Sequence, residues 1–401
     1  MAMTVVEPFE DENGVKRVNE EERGSEVTFR GLKVTLGLGT ILGSFPFSVT
    51  GPGVTVAFSW RSVSFLWTVL LFFFYTMDAV YFFSDLSRGE QTKTIDLEAQ
   101  GNSGISAEII AIQRSAQRLF YLTVIGGAMV HKESLARALS SVCRMARPDA
   151  KFQRDLLCGY LIIQAILLST FFMLNRSQFT TMSWSQWILF LIHKMVTTNA
   201  LAFYAPLYAL HPRVLARTLL DLKLDLEGFR LDCTQARARY REIRDTVRSL
   251  NRGFGLVIIM LHGYIAYTLV EQLYLIATLT DMAQSVHMTA LLGSVLTSVS
   301  RIVVDVAILL IINWPAQQFL DRDQELREYL SDMEGSGATS GYGDLGSIEK
   351  NRSMMLTGAG YLTLGKRLIM KAFGMVVSYT VLLVQFRQAE VVRGSVRPIN
   401  R

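Results

Sequence analysis

SVSFLWTVLLFFFYTMDAVYFFS, residues 62–84, carries a single charge, Asp78, over its whole length. A helix that crosses a hydrocarbon layer of about 30 Å needs about 20 predominantly apolar residues. This stretch meets that requirement and is the plainest membrane crossing in the chain. Six further segments match it in kind: 107–131, 156–174, 186–210, 254–279, 289–314 and 368–386. The first of these is interrupted by Arg114 and Arg118 and is clean only over Leu119–Val130. Half of the 401 residues are apolar and 19% are charged, against about 25% in soluble domains. The charges gather in the tails and a few connections. The pattern predicts an all-α polytopic membrane protein with seven transmembrane helices.

One more uncharged stretch, Val34–Trp60, is punctuated by Gly37, Gly39, Gly43, Pro46, Gly51, Pro52 and Gly53. Only Val34–Phe45 can continue as unbroken helix, about 18 Å at 1.5 Å per residue. That is too short to span, so it reads as a re-entrant or interfacial N-terminal helix followed by a broken turn.

Charge bias orients the bundle. Six basic residues lie in 132–155, ten in 211–253 and six in 315–367, whereas 175–185 has only Arg176 and 280–288 has none. Basic connections stay in the cytosol, which predicts a cytosolic N-terminus and an outside C-terminus, although the tail bears Arg387, Arg393, Arg397 and Arg401. Asn175, in the sequon Asn-Arg-Ser, then falls outside as a glycosylation candidate, while the sequon at Asn351 stays inside. The acidic N-terminal tail, 1–30, reads as disordered and cytosolic, with no cleaved signal peptide. The segment 211–253, with Arg237, Arg239, Arg241, Arg244 and Arg248 among apolar residues, reads as helix running into the crossing at 254. Gly and Ser dominate 333–347, a flexible loop. Four regions result: the tail 1–30; 31–210, with crossings one to four; 211–367, with crossings five and six and their cytosolic extensions; and 368–401, the last crossing and a short tail.

Several chemistries are excluded. The three cysteines, Cys143, Cys158 and Cys233, have neither metal-ligand nor disulfide-scaffold spacing, and no cofactor is implied. The net charge of +5 is explained by membrane topology, so no nucleic-acid partner is expected. No nucleophile–base pair, phosphate loop or carboxylate pair assembles on one side of the bilayer, so no enzyme is read. Internal repeats are absent, which counts against a duplicated transporter.

The last segment is the most informative. Thr357-Gly-Ala-Gly-Tyr-Leu-Thr-Leu-Gly-Lys-Arg-Leu leads to Gly374-Met-Val-Val-Ser-Tyr-Thr-Val-Leu-Leu-Val-Gln-Phe386. Ser378, Leu382 and Phe386 repeat at four-residue spacing and share a face. Such a face suits a pore with a dewetting constriction, or a helix packed by small residues. Ser378-Tyr379 followed by hydrophobic residues and Gln385-Phe386 resembles the signature of the arthropod gustatory receptors, within the insect chemoreceptor superfamily. Tyr240-Arg-Glu-Ile-Arg-Asp-Thr-Val-Arg-Ser-Leu-Asn251 and Tyr267-Thr-Leu-Val-Glu-Gln272-Leu273 are similar to patterns of its sugar-receptor subfamily. Two positions depart from it: Ser378 replaces Thr, and Thr380 stands where sugar receptors commonly have Glu.

The resemblance implies a ligand-gated, non-selective cation channel of the plasma membrane, opened by a small tastant, a sugar above all. It implies a homotetramer, or a heteromer with related receptors, whose last helices line a central pore among membrane lipids. Ser378, Leu382, Gln385 and Phe386 would form the pore and gate. Cytosolic helical extensions, with 352–367, would form an anchor where subunits pack. Ligand candidates are polar or aromatic residues in outer halves of crossings: Asp78, Trp187, Tyr267, Glu271, Gln272 and Tyr274. Tyr and Trp also anchor helix ends at the interface, and Asp78 or Glu271 can equally pair with Arg114 or Arg118. Arg301 and Asp305, four apart, read as an intrahelical ion pair, and His262 as bundle-facing. The alternatives are a seven-helix G-protein-coupled receptor, which needs the opposite orientation, a midplane transporter, and a receptor for a bitter ligand.

Overall fold

Among the described residues, helix occupies each of the seven apolar segments in whole or in part. The computed structural model describes residues 34–41, 47–50, 55–57, 61–87, 104–145, 157–166, 168–169, 183–228, 230–231, 233–282, 288–335 and 354–396. The N-terminal tail, Pro46, Pro52, Asn175, the Gly/Ser-rich stretch beyond Gly335 and Asn351 lie outside these residues. The side chains of Arg114, Trp187, His193 and Lys194 lie outside them too.

The helices are α1 (34–41), α2 (Val63–Ser87), α3 (Gly104–Val130) and α4 (Lys132–Met145). They continue as α5 (Leu157–Ile166), α6 (Trp184–Glu227), α7 (Cys233–Met282), α8 (Met288–Gly335) and α9 (Lys366–Val396). Two small antiparallel hairpins interrupt them: β1 (Ser48–Thr50) with β2 (Thr55–Ala57), and β3 (Thr357–Gly358) with β4 (Leu362–Thr363). The first occupies the stretch expected to be a broken turn. Among the described residues, α2, α7, α8 and α9 contain stretches long and apolar enough to cross a membrane. The chain is an all-α polytopic membrane protein.

The quoted stretch shows why. On α2, Phe65, Thr68, Leu71, Tyr75, Ala79 and Phe82 recur every three or four residues and face the bundle, while Leu66, Leu70, Phe73, Met77 and Val80 are exposed. Both faces are apolar, as a helix between protein and lipid requires. The charge within the quoted stretch is neutralised from α3: Arg118 Nε lies 2.8 Å from Asp78 Oδ2. The same guanidinium sits 4.0 Å from the centre of the Phe82 ring.

α6, α7 and α8 hold 44, 50 and 48 residues, about 66–75 Å of helix, more than twice the hydrocarbon thickness. Their far ends are amphipathic and bury Leu215, Leu219, Leu222 and Leu226 of α6 against Tyr240, Ile243, Val247 and Leu250 of α7 and Phe319, Leu326 and Leu330 of α8. The segment 211–253 is thus helical as expected, but it is two helices. The chain turns at Gly228, whose N–H bonds Leu224 O at 3.0 Å, while Arg239 reaches back to Asp225 at 2.9 Å. α9 runs ten residues past the expected limit of 386. Arg387 to Arg393 contains no breaker, and helix-breaking residues arrive only with Gly394 and Pro398.

Candidate functional site

α9 is almost unburied by its own chain. Val376 is 1% exposed, and Thr380, Leu383 and Arg387, on the same line, are half-buried. At roughly 100° per residue, Ser378, Leu382 and Gln385 lie within about 60° of the direction opposite Val376. All three are exposed, Leu382 at 46%, and so is Phe386 at 61%. Phe386 stands to the side of that line. Among the described residues Ser378 bonds only its own helix, Oγ donating to Gly374 O at 2.8 Å. Ser378, Leu382 and Gln385 therefore point away from the bundle, whereas Phe386, named with them from sequence, is exposed to one side.

What fixes α9 is the chain segment that precedes it. Residues 354–366, including the β3–β4 hairpin, lie against α7 and α8. The first fastening is Asn251 of α7, which brackets the hairpin: Nδ2 donates to Met355 O at 2.8 Å and Oδ1 accepts from Thr357 N at 2.9 Å. Asp323 of α8, 1% exposed, accepts from Met354 N at 3.1 Å, Arg327 Nε at 3.0 Å and the Tyr240 hydroxyl at 3.1 Å. Arg327 also donates to Tyr240 at 2.9 Å. Burial, with the Asp323 carboxylate beside it, holds the Tyr240 phenol well above its ordinary pKa, so it stays a donor. The last two fastenings are Asn313, whose Oδ1 accepts from Gly365 N at 3.2 Å, and Gln317, whose Oε1 accepts from Lys366 N at 3.1 Å. Asn313 also bonds His262 Nε2 at 2.9 Å, and His262 Nδ1 bonds Ile258 O at 2.8 Å.

Glycine lets the hairpin come this close. A Cβ on Gly255 would stand 2.5 Å from the Ala359 nitrogen. The turn itself uses positive φ at Ala359 (45°) and Gly360 (84°), where glycine is the natural residue. Lys366 then lies with its ammonium 4.9 Å from the centre of the half-exposed Trp314 ring, at the end of the sixth crossing.

The ligand candidates divide. Asp78 is committed to Arg118, the pairing that sequence reading held open. Glu271 and Tyr274 are buried, whereas Tyr267 and Gln272 are half-buried. Tyr264, Thr268 and Glu271 follow one another at three- and four-residue spacing and meet α8 at Arg301 and Asp305. The expected intrahelical pair is present at 3.2 Å, with Asp305 fully buried, and Thr268 Oγ1 also donates to Asp305 Oδ2 at 2.7 Å. Reading Arg301 and Asp305 along one helix alone missed that they face α7. Their signal was two charges inside a crossing.

The architecture is thus a polytopic helical bundle whose last helix is tied to it at its start and, among the described residues, packs along one line and is exposed on the opposite side. No protein-family model matches the chain, and no curated protein matches it. Among solved structures, it is similar to the insect olfactory receptor OR5 from Machilis hrabei, with a TM-score of 0.61 and 10% identity over 88% of this chain and 97% of that one. It is also similar to that receptor in complex with eugenol, with a TM-score of 0.57 and 11% identity over 90% and 98% of the two chains. The chain shares the fold of that olfactory receptor over nearly the whole of that receptor's length.

Proposed function

We propose that this chain is a chemoreceptor channel of the gustatory type: a small tastant, a sugar, opens a non-selective cation pore in the plasma membrane. By the charge of the basic connections, the N-terminus and the long ends of α6, α7 and α8 lie in the cytosol. Four chains assemble, or related chains join this one, with α9 lining the common axis. The observation that carries this reading is the line Ser378, Leu382 and Gln385, exposed on the side of α9 opposite its own bundle. Serine and glutamine are poor lipid-facing residues, whereas a pore wall uses them. Leu382 and Phe386 form the constriction that dewets when closed.

Ligand enters the bundle from outside and meets Asp78, Trp187, Tyr267, Glu271, Gln272 and Tyr274. It opens the pore only by binding the open arrangement more tightly than the closed one. Closure of α7 and α8 around it moves the 354–366 segment, which both helices hold, and α9 moves with that segment.

Voltage clamp of cells expressing this chain, alone and then with related receptors, tests the proposal. Leu382→Ala raises basal cation current, and Gln272→Ala shifts the sugar dose response to higher concentration. Saturable sugar uptake without current in all of these cells would sink the channel reading in favour of a transporter. Modification at Asn351 in a glycosylation scan would reverse the orientation and favour a G-protein-coupled receptor.

A further inference from the structure

A cavity of about 830 Å³ opens between α8, the β3–β4 hairpin and the first turns of α9. That is the size of a small-molecule site, about 300–1,000 Å³. None of the ligand candidates named above lines it. Its charged lining is Asp321, Asp323 and Arg327 from α8, and Arg367 and Lys371 from α9. Asp323 and Arg327 neutralise each other at 3.0 Å. Asp321 is exposed, and its Oδ1 accepts from the Gln317 amide at 2.7 Å, a neutral donor. Arg367 and Lys371 are exposed and one turn apart, and neither side chain has a hydrogen-bond or ion-pair partner among the described residues. Lys366, over the Trp314 ring, adds a third cation beside them.

At roughly 100° per residue, Arg367 and Lys371 lie within about 40° of the direction opposite Val376. They extend the exposed line of Ser378, Leu382 and Gln385 to the start of the helix. In the proposed assembly that line faces the common axis, which gathers these cations from every chain at one mouth of a cation path. Rings of Lys and Arg suit anions, so a bound anion removes the conflict. Arg367 can hold a phosphate by two parallel N–H donors, and Lys371 can hold another as a point charge. Asp321, on the α8 wall, repels a bare anion but accepts from a hydroxyl. An ammonium ligand would meet Arg367 and Lys371, and a plain polyphosphate would set its charge against Asp321. A phosphorylated polyol suits both walls at once.

We infer that this cavity binds an inositol phosphate, with phosphates on Arg367 and Lys371 and a ring hydroxyl donating to Asp321. The same chemistry comes as a free inositol phosphate or as the headgroup of an inositol lipid. The proposed orientation puts this end of α9 in the cytosol, and half-exposed Trp314, at the end of the sixth crossing, sets the cavity near headgroup height. The argument from the ring of charge rests on the α9-lined pore proposed above; the site itself does not.

The test is equilibrium binding to the full-length chain in detergent micelles. The probes are inositol trisphosphate and a short-chain phosphatidylinositol bisphosphate, with inorganic tripolyphosphate as the counter-probe that lacks hydroxyls. An inositol phosphate binds in preference to tripolyphosphate. Tighter binding of the lipid assigns the membrane source, and equal affinity assigns the soluble one. Arg367→Gln and Lys371→Gln each weaken binding about tenfold or more, the effect of one charge-assisted hydrogen bond. Asp321→Ala erases the preference over tripolyphosphate, and Arg137→Gln, at an exposed position on α4, leaves the affinity unchanged. Arg367 and Lys371 are exposed, so their variants keep the wild-type helical circular dichroism. No binding of either inositol probe, tripolyphosphate bound as tightly, or wild-type affinity in the double variant overturns the inference. Binding is read without sugar or current, so a chain that never conducts would sink the receptor reading and leave this result standing.

Discussion

Asp323→Ala is the sharpest perturbation of the segment that fixes α9. The carboxylate is 1% exposed and serves three donors: Met354 N–H, Arg327 and Tyr240. Removing one partner of a buried ion pair costs about 3–5 kcal/mol. The Arg327 side chain keeps 15% exposure, which relieves part of the stranded charge and places the loss near about 3 kcal/mol. The orphaned Met354 N–H adds about 1–3 kcal/mol. The total, about 4–6 kcal/mol, rivals the whole margin of a typical fold. Thermal denaturation of the detergent-purified chain, followed by size-exclusion elution, reads it as a midpoint lower by several degrees. Asp323→Asn keeps an acceptor for Met354 and falls less. If Asp323→Ala melts with the wild type, the carboxylate does not hold the segment and the coupling drawn from it fails.

Two further outcomes follow from packing. Gly255→Val puts a side chain where a Cβ already stands 2.5 Å from the Ala359 nitrogen, whereas a Cβ on Gly263 would meet nothing within 4 Å. Gly255→Val therefore lowers the melting midpoint and Gly263→Ala leaves it nearly unchanged; equal effects would refute the close approach. Cys143 is buried on α4, and burial pushes its thiol pKa up to about 12. Since the thiolate is the nucleophile, a water-soluble maleimide at neutral pH leaves Cys143 unmodified in the folded chain and alkylates it after denaturation, as mass spectrometry would read; rapid labelling of the native chain contradicts the burial.

Much of the architecture was legible because the bilayer imposes it. Residues 62–84 and 254–279 had to be helices once they were long and apolar, and the basic 211–253 segment had to be helical once apolar residues threaded its arginines. The lengths were less legible. α8 continues to Gly335 and α9 to Val396 because the hydropathy that marks a crossing says nothing about where an amphipathic extension ends. Arg118 with Asp78, and Arg301 with Asp305, were readable as pairs from the cost of a lone charge in lipid. That the second pair faces Glu271 and Thr268 depends on the rotation of α8 against α7, which only packing sets.

The 354–366 segment shows where reading by motif falls short and what it still carries. Tyr240 and Asn251 entered as the two ends of a resemblance pattern, and Thr357 to Leu368 only as the stretch that leads to the last helix. In the fold the two regions dock: Asn251 bonds Met355 and Thr357, while Tyr240 reaches Met354 through Asp323. Each partner is more than a hundred residues away along the chain for Asn251 and eighty-three for Tyr240, so no local period encodes the contact. The consequence is mechanical. α7 contributes Asn251 and α8 contributes Asp323, Asn313 and Gln317, so the segment bridges two helices and cannot follow one without straining its bonds to the other. In the proposed mechanism, a change in the spacing of α7 and α8 reaches the start of α9 through these bonds, at Gly365 and Lys366.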